Sequence, residues 1–200
     1  MLSTSLYDQI RSGILLKLEN ELAKELTYHR VFHTIDVETE AKRIALAEGI
    51  NSEEELFLLM VACLYHDSGF LHTYKDHEEA GCVIAKQELP HFNLNEKQIA
   101  LICGMIRATK IPQTPHTKLE QIICDADLDY LGRADFFTIG ETLFLEWKAK
   151  GFISTVEEWN TIQIKFFKQH HYFTATSKKL RGDQKLKHLK MIKATLQTLQ

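Results

Sequence analysis

His66 and Asp67 stand side by side at the end of an apolar run, in the segment LYHDSGFLHTYKDHEEAG that spans residues 64–81. An imidazole and a carboxylate at one point are ligands for a divalent cation when they face the same way. Helical periodicity decides which way they face. The run before them has an apolar stripe at Leu56, Leu59, Met60 and Cys63. Adding three or four residues to Cys63 gives His66 and Asp67, so both project toward the core. An unpartnered carboxylate there would be costly. The same reading selects one aspartate of three in CDADLDYLG. Asp127 continues the stripe Leu119, Ile122, Ile123, Ala126, Tyr130, whereas Asp125 and Asp129 fall about 200° around the helix and are expected to face solvent. A third stripe traces back from Ile44 through Ala41 and Val37 to His33, with His29 one turn earlier if the helix reaches it. His33, His66, Asp67 and Asp127 are therefore four inward nitrogen and oxygen donors on three helices. Such a set suits Mn, Fe, Co, Ni, Zn or Mg with positions left for water and substrate. The bound ion acidifies water and polarises a phosphoryl oxygen. From the stripes alone, a buried His–Asp hydrogen bond is the alternative.

The elements that must position these groups read as helices nearly throughout. Amphipathic segments are expected at about residues 6–26 and 33–48, the second stopping at Gly49. Ser52 with Glu55 opens a third as a capping box. Others follow at about 77–89, from a cap at Asn95 to Thr109, from near Leu119, then up to Gly151, at 155–173 and at the end, with IPQTPHT as a loop. Three prolines, no repeat and no linker predict one all-α bundle of 200 residues.

The composition bounds the function classes. The hydrophobic fraction of 44% and charged fraction of 26% are those of a globular chain. A net charge of −3 gives no nucleic-acid signal. Four cysteines without a CxxC, each in an apolar context, read as reduced core residues of a cytoplasmic protein. No signal-peptide pattern is seen at the start, and no apolar run approaches the ~20 residues of a membrane span. The segment 177–193 is locally basic. Its apolar residues Leu180, Leu186, Leu189 and Ile192 suggest a solvated helix, with a phosphate-rich ligand as the sharper reading.

The order His33, His66-Asp67, Asp127 resembles the signature of the HD-domain metal-dependent phosphohydrolase superfamily. YHRVFHTIDV (28–37) is similar to a segment of cyclic-nucleotide phosphodiesterases, and HDSGF, DHEEAG and CDADLDYLGR look like bacterial HD phosphohydrolases. The resemblance covers about residues 28–135. It implies a compact helical HD fold with His33, His66, Asp67 and Asp127 as metal ligands and His29 as proton donor to the leaving oxygen. It departs from the class that cleaves cyclic di-GMP: Phe70 stands where that class has lysine, and there is no Gly-Tyr-Pro motif. His77, with Glu78 beside it, fits one extra ligand of binuclear members, but the next expected histidine is missing near Arg107–Lys110.

The implied activity is hydrolysis of a phosphoester of a nucleotide or related small molecule. Water held near Asp67 attacks phosphorus and His29 protonates the leaving group. Lys75, His77, Arg107, Lys110 and Arg133 flank the ligand segments and are the candidate substrate contacts. The competing readings are a nucleotide-sensing regulatory module, disfavoured by the intact ligand set, and an HD-fold oxygenase, disfavoured by the missing histidine.

Overall fold

A computed structural model describes residues 4–199. It is all-α, with no strand among those residues. The helices are α1 (Thr4–Glu21), α2 (Val31–Ala47), α3 (Glu53–Tyr65), α4 (His77–Glu88), α5 (Glu96–Ala108), α6 (Lys118–Asp127), α7 (Phe136–Ala149), α8 (Val156–Gln169) and α9 (Ala175–Leu199). Short 3-10 turns follow α3, α4 and α6 at Ser68–Leu71, Leu89–Phe92 and Asp129–Gly132.

Local chemistry sets the starts and stops. Ser52 Oγ accepts from the Glu55 N–H at the head of α3. Full capping boxes open α5 (Asn95/Gln98), α6 (Thr117/Glu120) and α8 (Thr155/Glu158). Each satisfies amides that would otherwise lack partners, an effect of about 1 kcal/mol. Gly49 ends α2 at φ +81°, where a side chain would be strained.

Helix α3 is the axis of the larger core. It packs against α1, α2, α5 and α6. From Phe57 to Tyr65 every residue but Met60 is buried, so it has no single stripe. The expected stripe was wrong in detail: Leu56 and Met60 lie on its less buried side. All four cysteines are buried and free.

A second apolar cluster joins Tyr28, Leu131, Phe136, Phe167 and Ile192 across the C-terminal helices. Helix α9 packs on α8 and on the turn Asp129–Gly132. Its inward face is polar: Ser177, Lys185 and His188 are buried above Ile192, while Leu180 and Leu186 are exposed. The reason is hydrogen bonding. Lys185 donates to the His170 carbonyl and His188 Nδ1 to that of Leu131. Arg181 pairs with Asp129 at 2.8 Å.

That packing overturns the expectation that Asp125 and Asp129 face solvent; both are fully buried. One face of α6 meets the core, and the opposite face is covered by residues 172–181. Asp125 accepts from the N–H groups of Phe173 and Thr174, each at 2.8 Å, and from Thr174 Oγ1 at 2.6 Å. Burial raises its pKa despite those bonds. Asp129 receives Arg181 and Arg43. Periodicity places a side chain by angle; it does not say whether another element covers that angle.

Candidate metal centre

His33 stands in the first turn of α2, His66 caps the C-terminus of α3, and Asp127 is the last residue of α6. Their ligand atoms all lie within 4.8 Å of one another. The Nε2 atoms of His33 and His66 are 3.4 Å apart, and Asp127 Oδ1 is 3.1 Å from His33 Nε2. Asp67 Oδ2 adds a fourth donor, 3.2 Å from His66 Nε2 and 3.4 Å from His33 Nε2. This oxygen is buried with no hydrogen-bond partner. Its nearest charge partner is His66, and only while that imidazole carries its proton; a cation among these four atoms would take that proton's place. The carbonyl ends of α3 and α6 converge here and bring partial negative charge.

The surroundings orient the ligands. His66 Nδ1 donates to the Cys63 carbonyl at 2.7 Å, which points Nε2 at the cluster. Burial opposes a charge on His66, but Asp67 and Asp127 raise its pKa to about 9. Burial would likewise raise Asp67, yet His66 beside it holds it well below the usual carboxylate range. A cation binding here displaces the imidazole proton. Gln113 Nε2 lies 3.1 Å from the Cys124 carbonyl and 3.4 Å from Asp127 Oδ2, which leaves Oδ1 to the cluster. Gly69 carries the chain past the start of α4. A Cβ there would lie 1.8 Å from the His77 carbonyl oxygen. That close pass sets His77 Nε2 at 3.5 Å from both Asp67 Oδ1 and Glu78 Oε1.

His29 is not on α2. The helix starts at Val31 after an extended Arg30, and His29 is fixed by tertiary contacts. Its Nδ1 is 2.5 Å from Glu146 Oε1. Glu146 is fully buried on α7 and also accepts from the Tyr28 and His29 N–H groups and from the Tyr74 hydroxyl. Burial would raise its pKa, but these donors, His29 first, lower it. The His29 ring stacks on Phe70 at 4.1 Å, and Phe70 stacks on His77 at 4.0 Å. Sequence reasoning missed Glu146 and Gln113. Glu146 lies 117 residues from His29 in a helix with other acidic residues, and Gln113 lies in a loop without periodicity.

The family model described as HD domain matches residues 30–129, the stretch that holds all four donors. The chain belongs to the HD-domain family. Among solved structures, this HD-domain protein is similar to a predicted HD superfamily hydrolase from an uncultured Thermotogales bacterium. Identity is 20% and the TM-score 0.63, over 96% of this chain and 92% of that one. It is also similar to a protein from Lactobacillus plantarum, with 19% identity and a TM-score of 0.68, over 99% and 100% of the two chains. Both likenesses are of fold. A comparison with curated proteins finds no match.

The HD-domain cluster opens into a cavity of about 470 Å³ whose near wall includes His29, Asp67, His77 and Asp127. Of the expected substrate contacts, Lys75, His77 and Lys110 line it. Lys110 is in an ion pair with Asp76. Arg107 and Arg133 do not line it. Arg107 makes two bonds to Glu79 on the outer surface, and Arg133 is held by Asp36 and Asp135 in the Asp129 network. Arg107 was expected near substrate because it stands where a further histidine is missing, and Arg133 because it follows Asp127, but the fold carries each to another side. Among the described residues, no helix is long and apolar enough to cross a membrane.

Proposed function

We propose that the protein is a metal-dependent phosphohydrolase that cleaves a phosphoester of a small organic molecule, with nucleotides the first class to try. One observation carries this reading. A four-donor cluster with a buried carboxylate oxygen that accepts no hydrogen bond shares a cavity wall with a histidine fixed by a buried glutamate. His33, His66, Asp67 and Asp127 would hold the ion. When bound, it acidifies water and withdraws charge from the phosphoryl oxygens. Asp67 orients the attacking water and takes its proton. His29 donates a proton to the leaving oxygen. Glu146 keeps the His29 ring turned to the cavity. Lys75 and His77 meet phosphate oxygens at the mouth. A second ion at Asp67, His77 and Glu78 is an extension of the same reading.

The test is a panel of nucleotides, phosphomonoesters and phosphodiesters, each with Mn, Co, Ni, Mg or Zn. Release of phosphate or nucleotide with at least one ion, abolished in His66→Ala, is the expected result. Tight ion binding without hydrolysis of any substrate would favour the sensor module instead.

A further inference from the structure

We infer that the cavity behind the metal cluster binds the apolar part of the leaving group, so that the substrate is a phosphoester of a large apolar alcohol. This rests on the phosphohydrolase reading and names its substrate class. The far wall is built by the turn after α6 and by α7 and α8. It presents Leu131, Phe136, Leu143, Trp147, Trp159, Ile162 and Phe166. Gln163 is the one side-chain amide in the lining, and its Nε2 is 3.4 Å from Asn160 Oδ1. No charged side chain of α7 or α8 lines the cavity. The charges in the lining outside the metal cluster are Lys75, Asp76, Glu78 and Lys110, two of each sign, and Lys110 is already paired with Asp76.

Two consequences follow. The rim lacks the excess of cations that a chain of phosphates needs, so one phosphate meets the protein at the ion. The far wall offers few partners for sugar hydroxyls: the Gln163 amide, the Tyr130 hydroxyl and two indole N–H groups are its polar side-chain groups, and hydroxyls beyond these would lose their water without replacement. An aryl or long alkyl group loses nothing there and gains the transfer free energy of burial. The orientation follows from His29, which stacks on Phe70 in the near wall and faces the same cavity. The oxygen it protonates must carry the group that fills the cavity. For a monoester, water forms the new bond to phosphorus and gives one proton to Asp67. The bond from phosphorus to the ester oxygen breaks with its electron pair going to oxygen. His29 protonates that oxygen, and the products are the apolar alcohol and inorganic phosphate.

The protein carries its own reporter: it has two tryptophans, and both line the cavity. Tryptophan emission of the full chain, with metal chelated, would be titrated with alkylphosphonic acids of four, six and eight carbons, whose carbon–phosphorus bond is not hydrolysed. Adenosine 5′-monophosphate and adenosine 3′,5′-cyclic monophosphate are the comparison ligands. The dissociation constant is expected to fall about fourfold per added methylene, and the eight-carbon ligand to bind at least about tenfold tighter than either nucleotide, one decade being 1.4 kcal/mol. In Leu143→Asn, with its melting curve recorded, the chain-length dependence should flatten, and calorimetry repeats the measurement without the reporter. A dissociation constant indifferent to chain length, or a nucleotide binding more tightly than the eight-carbon ligand, overturns the inference. Because metal and turnover are absent from the measurement, a chain-length series without phosphatase activity in the loaded protein would uphold the apolar subsite and sink the hydrolase reading.

Discussion

The two halves of the candidate site are built on opposite principles. The half made by α2, α3 and α6 is a tight core into which polar groups have been placed: two imidazoles and two carboxylates within a few ångströms, each held by a helix end. The half made by α7 and α8 is an open space lined mostly by rings and aliphatic side chains, with Gln163 its one side-chain amide, while Glu146 lies buried behind the wall and bonds His29. The first can hold an ion and little else. The second can hold an organic group and offers no ligands. On the proposed function, chemistry at phosphorus would belong to the first half and choice of substrate to the second.

Four experiments would break or sharpen that division. The largest effect is expected from Asp127→Ala or His66→Ala. Elemental analysis should show bound ion lost, and turnover should fall on the order of a thousandfold. Asp125→Ala should keep its ion. If instead Asp125→Ala lost the ion and Asp127→Ala kept it, the assignment of the cluster would be wrong.

Next comes Glu146→Gln. It should lower kcat about a hundredfold while ion content is unchanged, since it acts through His29 and not on the cluster. A steeper dependence on the leaving-group pKa should accompany the loss, because poor leaving groups need the proton most. Equal loss for good and poor leaving groups would assign Glu146 a purely structural role.

Asp125→Ala should act on stability instead of chemistry. Removing the carboxylate strands two backbone N–H groups and a hydroxyl, at a cost of about 3 kcal/mol in urea unfolding. The smallest effect concerns pH. Glu48 closes the C-terminus of α2 and binds Lys118 at the head of α6 and the Thr176 N–H at the head of α9. The bond from Lys118, opposed by desolvation, lowers its pKa to about 2. A lowered acid pKa means stability that is fully present above about pH 4.5 and is lost as pH falls toward 2. The urea midpoint of the wild type should therefore drop further between pH 5 and 2.5 than that of Glu48→Gln. Parallel curves would show the clamp to be idle.

The same division explains what was legible in the sequence. His33, His66 and Asp127 could be placed together because each sits at a regular position on or at the end of an amphipathic helix, and angle follows from spacing. The all-α architecture and most helix ends followed from caps, glycines and prolines. Asp125 and Asp129 went wrong because α6 is covered on two sides, and burial on the second side comes from residues some fifty positions away. Glu146, Trp147 and Trp159 had no local mark at all. A glutamate in α7 and rings in α7 and α8 look like ordinary helix residues until the fold turns the glutamate to His29 and the rings to the cavity. Arg107 and Arg133 failed for the converse reason: nearness in sequence to a ligand segment does not fix a side.

Glu146 and Trp147 are adjacent in α7, one holding His29 and the other walling the cavity. If the proposed function holds, a well-fitting group pressing on Trp147 would seat the same turn of helix that holds His29. Contact far from phosphorus would then be converted into correct placement of a proton, and a poorly fitting substrate would be bound but turned over slowly. Discrimination would then be written in kcat more than in KM.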